Sequence, residues 1–183
     1  MEGDFPDQGE CHLNYIYGID PSLSSTGVTI YDLETKRFVY IGSIQTTKIK
    51  SQKKRYHNAL KLKHVYDSLS ELKAKYPPTV IAIERGFSRF NTSTQVTYRV
   101  HGLINLLFYD VEQVYYPPKA IKEAVLSGNA TKQQVQQAIK VLHLIRFVSE
   151  DESDSFAVCL TYLIKKDLID YEKPALSNSE VRA

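Results

Sequence analysis

Residues 79–84, TVIAIE, constrain this chain more than any other feature. The run is apolar and β-branched, stopped in front by Pro77 and Pro78, too short for a helix and without the polar alternation of a half-exposed strand. It fits a central strand buried on both faces, and such a strand needs cover on each side. Residues 14–20 (NYIYGID) predict a strand running into a turn at 21–25, and 27–33 with 38–44 predict a hairpin. Residues 52–75 predict a long helix with Leu60, Val65, Leu69 and Leu72 as its apolar stripe and lysines on the other faces. A Thr92-x-x-Gln95 capping box opens a helix to 108, with Val96, Val100, Leu103, Ile104, Leu107 and Phe108 at helical spacing. Tyr98, His101 and Asn105 lie off that stripe.

A strand at 111–115 and a helix at 117–126, entered through Pro117, follow. Thr131-x-x-Gln134 caps a helix to about 144, and a last helix covers 153–166, started by Ser149-x-x-Glu152 or by Ser153 itself. This order predicts an α/β fold, a mixed central β-sheet flanked by α-helices, as one domain over 14–167. Residues 1–13 read as a disordered leader and 168–183 as a polar tail.

A chain of 183 residues with 43% hydrophobic content can bury a core without staples. Cys11 and Cys159 are too few and too isolated for a disulfide framework or a thiolate metal site. The longest apolar run, 156–164, falls well short of the ~20 residues that span a bilayer. The acidic N-terminus is the opposite of a secretory signal. A cytoplasmic protein without membrane association is expected.

The net charge of +2 hides an asymmetry. Eleven basic residues fall between Lys36 and Lys75, among them Lys53, Lys54 and Arg55, against only Asp67 and Glu71. A polyanionic partner would suit that stretch, because phosphate contacts release counterions and dominate affinity. A solvated lysine-rich helix face explains it equally well. Four acids crowd into 150–154 instead.

Two further acids end predicted strands: Asp20 the first, Glu84 the buried one. If those strands are parallel neighbours, both carboxylates leave the sheet at one end, where open α/β folds bind ligands. Asp151 and Asp154 are three apart at a helix start, which sets them on one face ~5–6 Å apart. Four converging carboxylates repel one another unless a cation neutralises them. Hard divalent ions with oxygen ligands do this, Mg²⁺ or Mn²⁺, and two such ions ~3.5–4 Å apart can clamp a phosphodiester during in-line displacement. Singly, each acid has a plainer reading, as a turn residue, a strand end or a partner of the helix dipole. It is their combination that points to a metal site.

GIDPSLSSTGVTIYD (18–32), IAIERGF (81–87), KAIKEAVLSGNATKQQV (119–135) and DESDSFAVCL (151–160) resemble the RuvC family of Holliday-junction resolvases, in order and at compatible spacings over about 15–165. The resemblance implies an RNase H-like fold and a Mg²⁺-dependent endonuclease that resolves four-way junctions as a homodimer, with two ions per site. It implies that Asp20, Glu84, Asp151 and Asp154 are the metal-binding acids, with Glu150 or Glu152 as alternatives to Asp151. It matches Lys122 and Lys132 to the family's paired lysines and Phe87 to its DNA-contacting aromatic. The dimer interface would be the helix at 92–108. Pro-Ser-Leu-Ser-Ser stands after Asp20 where the family usually has Pro-Gly. The Lys- and Tyr-rich divergence suggests a phage-encoded member.

Lys122 and Lys132 would stabilise charge that accumulates on a phosphoryl transition state. Lys132 opens a helix, where a cation is mildly unfavourable, and that misfit favours function over decoration. Phe87, in a loop with Arg85 and Arg89, would stack on an unpaired base at a branch point, or else face the core. Two other nuclease readings stay open: a fork or flap nuclease, and an RNase H-like enzyme for RNA–DNA hybrids. A non-catalytic junction-binding protein is the third alternative. An actin-like kinase or ATPase would need two subdomains, more than 183 residues with one phosphate turn provide.

Overall fold

In the buried strand, side chains alternate between two cores. A computed structural model describes residues 14–51, 53–86, 92–143 and 147–174. β4 (Pro78–Glu84) turns Val80 and Ala82 to one face of the sheet and Ile81 and Ile83 to the other, all buried. Both faces are covered, which is why TVIAIE carries no polar alternation. β1 (Tyr15–Asp20) lies beside it in parallel, and β2 (Ser25–Asp32) and β3 (Arg37–Gln45) continue antiparallel from β1. β5 (Glu112–Tyr116) pairs in parallel with the other edge of β4, giving the order β3-β2-β1-β4-β5. The expected mixed sheet is present.

α1 (His57–Lys75) and α2 (Thr92–Leu107) cover one face. Val65, Leu69, Val100 and Ile104, with Phe108 just beyond α2, pack there on Tyr17, Ile19, Val28 and Ile30. α3 (Pro118–Val125), α4 (Lys132–His143) and α5 (Glu150–Lys165) cover the other, where Val135, Ile139, Phe156 and Leu160 meet Ile16 and Ala82. α5 lies almost on the sheet. A Cβ at Gly18 would collide with the Ser155 carbonyl and Cys159, and one at Gly27 with the Asp151 carbonyl. These two glycines set how closely the acidic start of α5 approaches the strand ends.

Several expectations change. α1 begins at His57 rather than at 52, after a 3-10 turn at Lys54–Tyr56. Lys53, Lys54 and Arg55 would crowd cations at a helix N-terminus, which the dipole disfavours. Leu60 is 42% exposed, and Leu62 takes its place in the stripe with Val65, Leu69 and Leu72. Ser25, expected in the turn, is already the first residue of β2. α5 starts at Glu150, capped by Ser149, whose Oγ accepts from the Glu152 N–H at 3.3 Å. His101 is buried beneath Gly86, with no hydrogen-bond partner for Nε2 among the described residues. Tyr98 stays exposed beside it.

The Thr131–Gln134 capping box is reciprocal: the Gln134 side chain accepts from the Thr131 N–H at 2.8 Å, and Thr131 Oγ1 accepts from the Gln134 N–H at 3.2 Å. Cys159 is buried as a free thiol, and Cys11 lies outside the described residues. Ile169 and Tyr171 pack against the α3–α5 core, the Tyr171 hydroxyl donating to the Val125 carbonyl at 2.7 Å. Residues 1–13 and 175–183 lie outside the described residues. Among the described residues, no helix is long and apolar enough to cross a membrane.

Candidate active site

The β1–β4 register pairs Ile19 with Ile83, so the next residues, Asp20 and Glu84, leave the sheet side by side at the same end. Asp20 is also the register partner of Gly27, the position on which the Asp151 carbonyl rests. This brings the first turn of α5, with Asp151 and Asp154, to the strand ends. The four acids expected to converge do so.

Their electrostatics record the crowding. Burial, then the charges of Glu84, Asp154 and Asp151, push the Asp20 carboxyl up to about 8, against a lowering by Lys132. Burial and Asp154 raise Glu84 to about 7, with Lys132 and Lys122 opposing. Asp154 is also raised, chiefly by burial, although Lys132 donates to it. A hard cation would oppose these shifts by favouring the charged carboxylates.

Two of the acids already have partners. Lys132 Nζ lies 2.6 Å from Asp154 Oδ2 and 3.1 Å from Glu150 Oε2. Burial works against the Lys132 charge, but these bonds outweigh it and raise its pKa. Ser25 Oγ donates to Asp151 Oδ2 at 2.5 Å and accepts from Gln45 Nε2 at 2.6 Å. Gln45 Nε2 also reaches Ser43 Oγ at 3.0 Å. With Asp154 turned to Lys132 and Asp151 held by Ser25, no group of three His, Cys, Asp or Glu side chains among the described residues closes into a ready ion cage. The donor set nonetheless fits a hard divalent ion, being carboxylate oxygens, with those of Asp20, Glu84 and Asp154 raised in proton affinity.

Beside the acids is a cleft of about 230 Å³, lined by Glu84, Asp154, Lys122, Lys132, Ile121 and Val135 among others. Its polar rim combines the acids with the two lysines, and its floor is the apolar seam between α3, α4 and α5.

The family profile for crossover junction endodeoxyribonuclease RuvC matches residues 16–162. The chain belongs to the RuvC family. A RuvC of Orientia tsutsugamushi strain Boryong is 33% identical over 160 residues, covering 84% of this chain and 97% of its own. That of Alkaliphilus metalliredigens is 34% identical over 155 residues, covering 80% and 91%. Among solved structures, T. thermophilus RuvC in complex with Holliday junction substrate superimposes with a TM-score of 0.69 at 15% identity, over 85% of this chain and 96% of that one. The yeast mitochondrial Holliday junction resolvase superimposes with 0.59 at 13% identity, over 84% and 80%. The fold is RNase H-like, as expected.

The RuvC-matched stretch contains every residue expected at the site. Asp20, Glu84, Asp151, Asp154, Lys122 and Lys132 come together. Arg85 is exposed next to Glu84, its N–H donating to the Tyr116 carbonyl at 2.8 Å. Lys53 and Arg55 are exposed before α1 and line no part of the cleft. Arg55 instead lies over the Tyr56 ring, 4.8 Å from its centroid. Phe87, Arg89 and the Lys54 side chain lie outside the described residues. The partnership of Ser25 and Gln45 with Asp151, and the ion pair of Glu150 with Lys132, go beyond what the sequence predicts. The hydroxyl run Ser24-Ser25-Thr26 was the available signal for the first, but the partner of Ser25 is 126 residues away.

Proposed function

We propose that the protein is a divalent-cation-dependent endonuclease that resolves four-way DNA junctions, with Asp20, Glu84, Asp151 and Asp154 holding two Mg²⁺ ions. The observation that carries this is the convergence of two strand-end acids and two helix-start acids into one electrostatically strained cluster, within a chain of the RuvC family. The relatives are named crossover junction endodeoxyribonucleases, and one structural neighbour was solved on a Holliday junction.

Bound there, divalent ions supply Lewis-acid polarisation of the phosphodiester and a more acidic water. The chain itself does the rest. Asp20 and Glu84 must give up protons for a cation to enter, since burial and then the neighbouring carboxylates otherwise keep them partly protonated near neutral pH. Lys132 is held at the cleft by Asp154 and Glu150, and Lys122 lines the same cleft beside Glu84. Both would stabilise charge gathering on the phosphoryl oxygens. Arg85, Lys53, Lys54, Arg55 and Arg89 would contact DNA phosphates, and Phe87 an unpaired base. A homodimer through α2 would present two sites for paired cuts; Leu106 and Tyr109, 71% and 81% exposed, support this surface. A cytoplasmic location completes the reading.

The test is incubation with a synthetic four-way junction, a fork and linear duplex, with and without Mg²⁺. Paired nicks in the junction that need the cation are expected. Equal cutting of all three substrates would replace the reading by a general nuclease, and binding without cutting by a non-catalytic junction protein.

A further inference from the structure

A second groove opens on the other side of Asp20. Ser22, Leu23 and Ser24 of the β1–β2 turn form one wall, Asn58 and Lys61 of α1 another, and Val96 and Thr97 of α2 the third. It shares no lining residue with the cleft at Glu84 and Lys132. The turn is held from below: the Thr46 hydroxyl donates to the Leu23 carbonyl, the Thr46 N–H to the Ser24 carbonyl at 3.0 Å, and Thr26 Oγ1 to the Ser22 carbonyl at 2.6 Å. The carbonyls of the turn are thus engaged inside the protein.

The side chains are a different matter. Ser22 Oγ and Ser24 Oγ face each other at 3.0 Å. Such a pair uses one hydroxyl proton internally and leaves the other to donate outward. Asn58 adds an amide with two N–H donors. Lys61 is half-buried, and none of the ion pairs formed by the described residues involves it. No described lining residue is acidic. Several neutral donors around one cation, with no competing negative charge, is the chemistry that receives a phosphate oxygen.

We propose that this groove binds a backbone phosphate of the strand that the carboxylate site cuts, with Lys61 supplying charge and Ser22, Ser24 and Asn58 the hydrogen bonds. Ser22 is two residues from Asp20, which keeps their Cα atoms within about 7 Å, so one strand can lie across both. The serines doing this stand where the turn departs from the Pro-Gly expected by resemblance. The inference rests on the junction-cutting reading and adds to it the path of the DNA.

Two variants test it: Lys61→Ala, and Ser22→Ala combined with Ser24→Ala. Junction binding is measured across a salt series without divalent cation, and cleavage with Mg²⁺ at saturating junction. Lys61→Ala should weaken binding and lower the slope of log K against log salt by about 0.7–0.9, the share of one phosphate contact, and Lys61→Arg should restore it. The serine pair should weaken binding about 2- to 10-fold with the slope unchanged, because hydroxyls release no counterion. Saturated cleavage by the wild-type protein is the control for the junction reading itself. If wild-type protein binds and cuts the junction while Lys61→Ala keeps the full slope, the groove assignment fails alone. Wild-type protein that neither binds nor cuts overturns the groove and the junction reading together.

Discussion

Ser25 and Asp151, 126 residues apart, are joined by a 2.5 Å hydrogen bond from hydroxyl to carboxylate. It ties the first residue of β2 to the first turn of α5, and Gln45, the register partner of Ser25 on β3, steadies it from behind. The bond fixes which oxygen of Asp151 is engaged and leaves the other for a ligand.

Ser25→Ala is therefore expected to weaken divalent-cation binding by about 10-fold, the low end for loss of a group that orients a metal ligand. Ser25→Thr should restore it by keeping the hydroxyl. Calorimetric titration with Mn²⁺ checks this independently of cleavage. Unchanged affinity in Ser25→Ala would show that Asp151 needs no help to stay in place.

Asp20→Asn and Glu84→Gln should each abolish cleavage while leaving junction binding intact or slightly tighter. The amides keep the volume but lose the charge a hard cation needs, and they repel phosphates less. Gel-shift and cleavage assays on the same preparations decide it. Wild-type cleavage in either variant would remove the metal assignment.

The convergence of these acids was legible because it depends on local facts: a buried strand ending in Glu84, another ending in Asp20, and a capped helix opening on acids. A parallel pairing of β1 with β4 was the one assumption needed, and the register bears it out. What was not legible depends on register and on second faces of helices. Ser25 ends the predicted turn at 21–25, yet the ladder with β3 reaches it. Leu60, predicted in the stripe, is exposed and Leu62 packs instead, because the four leucine and valine positions only approximate a helical stripe. His101 lay off the stripe of α2, but Gly86 and the rings of Tyr98 and Tyr115 cover that side.

Stability should depend on pH in a direction set by Asp20 and Glu84. Their folded pKa values, about 8 and about 7, lie above the ordinary carboxylate values of an unfolded chain. The native state therefore holds these protons more tightly, and the stability they contribute is complete at acid pH and lost as pH rises through 7 and 8. In EDTA, the melting temperature should fall between about pH 5.5 and 8.5. Mg²⁺ competes with those protons, so its stabilising effect should be small at the acid end and large at the alkaline end. Asp20→Asn should flatten the EDTA profile. A wild-type melting temperature that rises across this range in EDTA would contradict the crowded-carboxylate picture.

The last expectation concerns Gly27, which has no chemistry of its own. A methyl group there would collide with the backbone carbonyl of Asp151, and that carbonyl belongs to a helix and cannot rotate aside. Gly27→Ala must therefore push the start of α5 away from the strand ends. Overpacking of this kind costs about 1–3 kcal/mol of stability. The displacement moves Asp151 and Asp154 away from Asp20 and Glu84, and a misplacement of about 1 Å in a catalytic arrangement can cost about 100-fold in rate. Junction affinity should change little, because the basic surface is untouched. Thermal melting, binding and saturated cleavage on one preparation separate the effects. A folded Gly27→Ala protein that cleaves at the wild-type rate would show that the approach of α5 to the sheet does not set the site.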